Sequence, residues 1–161
     1  MSAITHSETN QFPTRHTNHA ITGSKVNQWA IPLGRLFYSL IFIVSGITHF
    51  SSGTVAYADN AGVPFADILV PVSGIFALLG GVSVLLGAHA RFGALLLILF
   101  LAPVTFLMHD FWTFNDPAMA EMQLIHFLKN ISILGGACFI AFYGAGPMSW
   151  DHHQQVNQQR S

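Results

Sequence analysis

Lys129 is an ionisable group inside an apolar run, Leu124 to Tyr143, with His126 and Asn130 at helical spacing beside it. A charge at the centre of a membrane helix costs about 2.5–3.5 kcal/mol on insertion scales, so it needs a partner or a purpose. Spacings of three and four residues place His126, Lys129 and Asn130 on one helix face. His49 ends an earlier apolar run, and His109-Asp110 ends another. These six residues form the candidate polar cluster, with Asp110 as the first choice of counter-charge for Lys129. A structural ion pair, or a lysine snorkelling along its own stem, accounts for Lys129 more readily than a proton or ligand role. Three histidines on three helices at similar depth make axial haem ligation a weaker alternative, and a three-histidine zinc site a weaker one still. No metal site is expected. Phe111, Trp112 and Phe114 follow Asp110. Aromatics there read first as interfacial anchors; the sharper reading is a quinone headgroup contacting Trp112 and Lys129.

Four apolar segments must position these groups: about Pro32 to Phe50, Phe65 to Leu86, Phe92 to Met108 and Gln123 to Tyr143. Each approaches the roughly 20 residues that cross a hydrocarbon core. They are apolar all round, whereas a soluble bundle keeps a polar face on every helix. No strand pattern interrupts them. The reading is an all-α integral membrane four-helix bundle. With a rise of about 1.5 Å per residue, Lys129 lies about 9 Å inward from Gln123. Rows of small residues at four-residue spacing, Ser73-Ala77-Gly81 and Ser132-Gly136, suit close helix packing in lipid. Pro71 falls in the first turns of its span, and Pro103 falls mid-span, where a kink is expected.

Arg15, Lys25 and Arg35 precede or open the first span, Arg91 lies in the link between the second and third, and Arg160 follows the fourth. The other two loops and their flanks hold Asp59, Asp67, Asp110, Asp116 and Glu121, with no Lys or Arg. Both termini are therefore expected on the cytoplasmic side, with loops 51–64 and 109–122 outside.

Residues 1–31 read as a polar, disordered tail rather than a secretory signal, since no apolar stretch opens the chain. His6, His16 and His19 there, and His152 and His153 in a short polar tail over 152–161, read as solvated side chains. The membrane domain spans 32–151. Of the 161 residues, 52% are apolar and only 8% charged, against about 25% charged in soluble domains. The mean hydropathy of +0.49 agrees. A formal net charge of -1 with no basic stripe excludes a nucleic-acid partner. The one cysteine, Cys138, excludes an intrachain disulfide and a two-cysteine redox motif. Nucleotide-binding glycine loops, a nucleophile elbow and an iron–sulfur cysteine set are missing, so the chain carries no recognisable redox centre of its own.

Several motifs recur in order: Ser45-Gly46-Ile47-Thr48-His49-Phe50, Gly62-Val63-Pro64, Leu79-Gly80-Gly81, Leu86-Gly87 with Arg91, His109-Asp110-Phe111-Trp112, His126-Phe127-Leu128-Lys129-Asn130, Gly135-Gly136, and Gly144-Ala145-Gly146-Pro147-Met148-Ser149-Trp150-Asp151. Together, over about Leu33 to Asp151, they resemble the DoxX family of small four-helix bacterial inner-membrane proteins. The resemblance implies an inner (cytoplasmic) membrane location and a link to oxidoreductase complexes, quinone- or thiol/sulfur-linked. It makes an accessory subunit the leading expectation, with oxidoreductase partner subunits and homo-oligomers as partners besides the lipid bilayer. A non-catalytic scaffold is the alternative, and a small transporter a further one. Members often carry a glutamate where this chain has Ala77 and a lysine where it has His49. The absent glutamate removes one natural partner for Lys129.

Overall fold

The computed structural model describes residues 25–160. Its helices run α1 (Lys25–Thr48), α2 (Ser52–Asn60), α3 (Ala66–Leu86), α4 (Ala90–Met108), α5 (Pro117–Tyr143) and α6 (Trp150–Gln158), with a 3-10 turn at Phe111–Thr113. Four of them, α1, α3, α4 and α5, are long and apolar enough to cross a membrane. Most of the expected tail, residues 1–24 with His6, His16 and His19, lies outside the described residues.

Two helices begin earlier than the apolar runs suggest. α1 starts at Lys25, ahead of Pro32. α5 starts at Pro117 because Asp116 caps it: the Asp116 carboxylate accepts from the N–H groups of Ala118 (2.8 Å) and Met119 (3.2 Å). The short polar tail expected after Asp151 is instead the helix α6, capped by Ser149, whose hydroxyl accepts from the His152 N–H at 3.1 Å. Gly87 ends α3 in the left-handed region (φ 65°), and a three-residue link leads into α4.

The helices pack in the order α1 on α3, α3 on α4, and α4 on α5, with α2 lying on α3. Contact between α1 and α5 is slight by comparison, which leaves a seam between them. Tyr38 bridges it, donating to the Ile133 carbonyl at 2.9 Å. The core holds Phe42, Ala77, Val84, Ala94, Leu97, Phe100 and Leu101. Backbones meet closely at two crossings. A methyl on Gly74 would come within 2.7 Å of the His49 Cβ and 3.0 Å of the Gly46 carbonyl; one on Gly80 would come within 2.7 Å of the Gly93 carbonyl. Large side chains cover the outside: Phe37, Ile68, Leu99 and Phe139, one on each long helix, are 58–70% exposed. Water would not tolerate such a surface, and lipid suits it.

Candidate functional site

Three of these helices meet around a polar cavity of about 260 Å³ near the ends of α1 and α4 that face α2. His49, His109, Lys129 and Asn130 all line it, four of the six residues expected to cluster. Its apolar walls are Phe42, Phe100, Leu101 and Ile133. It sits at the seam between α1 and α5, and Ile41 and Lys129, which line it from these two helices, are both exposed.

The hydrogen bonds assign the proton on two of the imidazoles. His49 Nδ1 lies 2.6 Å from the Ser45 carbonyl oxygen, which only accepts, so Nδ1 carries the proton. His109 Nδ1 lies 2.8 Å from Gln123 Oε1 and donates in the same way. In its neutral form each ring therefore keeps an accepting lone pair on Nε2. The His49 ring also packs edge-on against Phe100, with centroids 5.3 Å apart. Asn130 is only 6% exposed, and its side-chain amide has no hydrogen-bond partner among the described residues. The cavity thus combines two accepting imidazole nitrogens, an amide and an ammonium.

Lys129 is not paired with Asp110, correcting the expected counter-charge. Asp110 accepts from the Thr113 hydroxyl at 3.0 Å and does not line the cavity. That hydroxyl is three residues away, at the end of the same 3-10 turn, and is the nearer partner. Lys129 Nζ instead reaches back one turn to His126 Nδ1, a long contact of 3.4 Å. His126 stands behind the cavity wall, stacked on His109 at 5.2 Å between centroids. Trp112 is also set apart from the cavity. Its ring packs with Phe111 (5.0 Å) and Phe127 (6.0 Å) and is 56% exposed, as an interfacial anchor would be.

Gln123, Ser45 and Phe100 do work in the site that their residue types alone do not announce. Two of them carry a spacing signal. Gln123 shares a helix face with His126 and Asn130, at intervals of three and four, and Ser45 lies four residues before His49. Phe100 has none, because one phenylalanine among many on an apolar helix reads as core. Phe100 and Val104 also line a second, apolar crevice of about 280 Å³ between α3 and α4, beside Pro103. They are the partition between the polar cavity and that crevice.

The DoxX family profile matches residues 30–110. Inner membrane protein YphA of Escherichia coli is 27% identical over 74% of this chain and 86% of its own length. Inner membrane protein YqjF of the same organism is 29% identical over 79% of this chain and 93% of its own. A surfeit locus protein 4 homolog of Schizosaccharomyces pombe is 25% identical over 61% of this chain but only 32% of that protein. No solved structure matches at a significant level. Four membrane-length helices and these relatives make the chain a multi-pass inner-membrane protein of bacterial type. It belongs to the DoxX family.

Proposed function

We propose that the protein is an accessory membrane subunit of an oxidoreductase system, quinone- or thiol/sulfur-linked, and that its polar cavity receives a quinone headgroup. The observation that carries this reading is the cavity's place at the α1–α5 seam, where a lipid-soluble molecule can arrive sideways while its tail stays in the bilayer. The residues fit the group. Lys129 and Asn130 supply donors for ring carbonyls, and the Nε2 atoms of His49 and His109 accept from ring hydroxyls. A quinone supplies two-electron, two-proton redox chemistry; these side chains would hold it and exchange protons with its oxygens. A cavity of about 260 Å³ suits a headgroup and excludes a bulky whole ligand. The positive-inside distribution supports placing this cavity toward the outer face.

Purified protein titrated with a short-chain ubiquinone should show saturable binding, weakened by Lys129→Met and by Asn130→Leu by roughly 10-fold each, the worth of one hydrogen bond to a polar partner in a dry site. Absence of saturable binding, or binding unchanged in both variants, defeats the quinone reading. The scaffold alternative draws on the His109–Gln123 bond, which ties the end of α4 to α5. On that alternative the same variants lower thermal stability and partner recovery without altering the turnover of any partner enzyme.

A further inference from the structure

A second cavity, of about 540 Å³, lies at the opposite end of the bundle, where the α3–α4 link and the end of α5 meet α6. His89, Arg91, Tyr143, Asp151, His152 and Gln155 are among the residues that line it. Its one carboxylate is already engaged. Asp151 accepts from the His89 N–H at 2.7 Å and from the Ala90 N–H at 3.0 Å, one bond to each oxygen. It thereby takes up the positive end of the α4 dipole, and the Arg35 guanidinium is the cationic side chain whose charge it feels. Arg91 is left over: it has no hydrogen bond or ion pair among the described residues. Its Nε lies 3.5 Å from the point where a methyl on Gly144 would sit, so the side chain lies across that glycine. His89 is held in the left-handed region (φ 50°), an expensive conformation for a residue with a side chain. Two imidazoles therefore join one guanidinium, beside a carboxylate already met by two backbone N–H groups and by the charge of Arg35.

The depth is equally telling. The apolar part of α4 begins at Ala90 and that of α5 ends at Tyr143, so the cavity lies where hydrocarbon gives way to headgroups. Phe92 (63% exposed) and Tyr143 (72% exposed) flank it as interfacial aromatics do. We propose that this cavity binds a phosphate ester, the headgroup of an anionic membrane lipid, gripped by the Arg91 guanidinium with His89 and His152 beside it. The planar fork of arginine suits two phosphate oxygens at once, and basic pockets between helices at a membrane surface commonly take such headgroups. The proposal stands independently of the quinone reading, which concerns the other end of the molecule.

Native mass spectrometry of the intact protein tests it, with phosphatidylglycerol and phosphatidylcholine added in equal amounts. The wild type should retain phosphatidylglycerol with a preference of roughly 10-fold, the worth of a charge-assisted pair. Arg91→Gln should abolish that preference, and Arg91→Lys should keep only part of it. Arg160→Gln should change nothing, since Arg160 does not line the cavity. Arg91 is exposed and has no partner among the described residues, so its replacement should leave the fold intact, which size-exclusion chromatography verifies. Inorganic phosphate separates the two sources of the group. If phosphate alone raises the melting temperature of the wild type but not of Arg91→Gln, and no lipid is retained, the site takes a soluble phosphate. Equal retention of both lipids with no effect of phosphate overturns the proposal, as does a preference that survives in Arg91→Gln.

Discussion

Arg35 looks in the sequence like one more charge marking the cytoplasmic end of a span, and its side chain has a second task. It is 8% exposed and donates to the carbonyls of Met148 (2.7 Å) and Ala145 (3.2 Å). It thereby ties α1 to the turn between α5 and α6. Gly87 gives it room: a methyl there would lie 2.6 Å from Arg35 Nη1 and 2.5 Å from the Ser149 Cβ. Hydrogen bonds from a charged donor contribute about 1.5–3 kcal/mol each, offset in part by the cost of burying the guanidinium, so Arg35→Ala should cost about 2–4 kcal/mol, read as a lower melting temperature in detergent. Arg35→Lys should recover little, because one ammonium cannot span both carbonyls. A melting temperature unchanged in Arg35→Ala would show the tie to be idle. At this scale the sequence was readable for Lys129, His49, His109 and Asn130, whose polarity inside apolar runs marks them. It was not readable for Asp110. Its partner was decided by a competition between a distant ammonium and a hydroxyl three residues away, and the local group won.

The helices themselves were legible because runs of apolar residues near membrane length leave few alternatives. Their ends were less so. α5 starts at Pro117 and α6 exists at all because of caps, which weigh little beside hydropathy in a reading by composition. Which small residues touch was also hidden. Of the expected rows, Ala77 is fully buried, Gly81 packs on Phe42 and Ile43, and Gly136 lies under the Tyr38 ring, while Ser132 is exposed. The tight backbone approaches fall elsewhere, at Gly46 with Gly74 and at Gly80 with Gly93. Four-residue spacing names a stripe on one helix but not the height at which another helix crosses it. Gly74→Ala should therefore force α1 from α3, displace His49, and cost about 1–3 kcal/mol while weakening ligand binding in the polar cavity. Gly135→Ala, with nothing within 4 Å of the added methyl, should be neutral or slightly stabilising through helix propensity. Matching melting curves for the two variants would remove the crossing as the cause.

For the whole molecule, the two ends now differ in chemistry. The end bearing α2 carries the polar cavity, and the end bearing α6 carries Arg35, Arg91 and the larger cavity. The charge asymmetry predicts that the α2 end faces outward. In a Cys138→Ser background, Gly53→Cys should react in intact cells with a membrane-impermeant maleimide, while Arg160→Cys should react only after lysis. The opposite pattern would invert the molecule. Gly53 is exposed, with nothing within 4 Å of an added Cβ, so its label reports sidedness rather than local burial.

Composition and hydropathy were enough to establish a lipid-embedded, all-helical chain, since a backbone in hydrocarbon must satisfy its own hydrogen bonds and few arrangements do so. The ordered motifs were enough to point to its family. The seam between α1 and α5, the pairing of Asp151 with the start of α4, and the lack of a partner for Arg91 among the described residues came only from the fold. Each depends on which distant segments share a space, and that is settled by packing among all the helices at once rather than by any stretch of residues read alone.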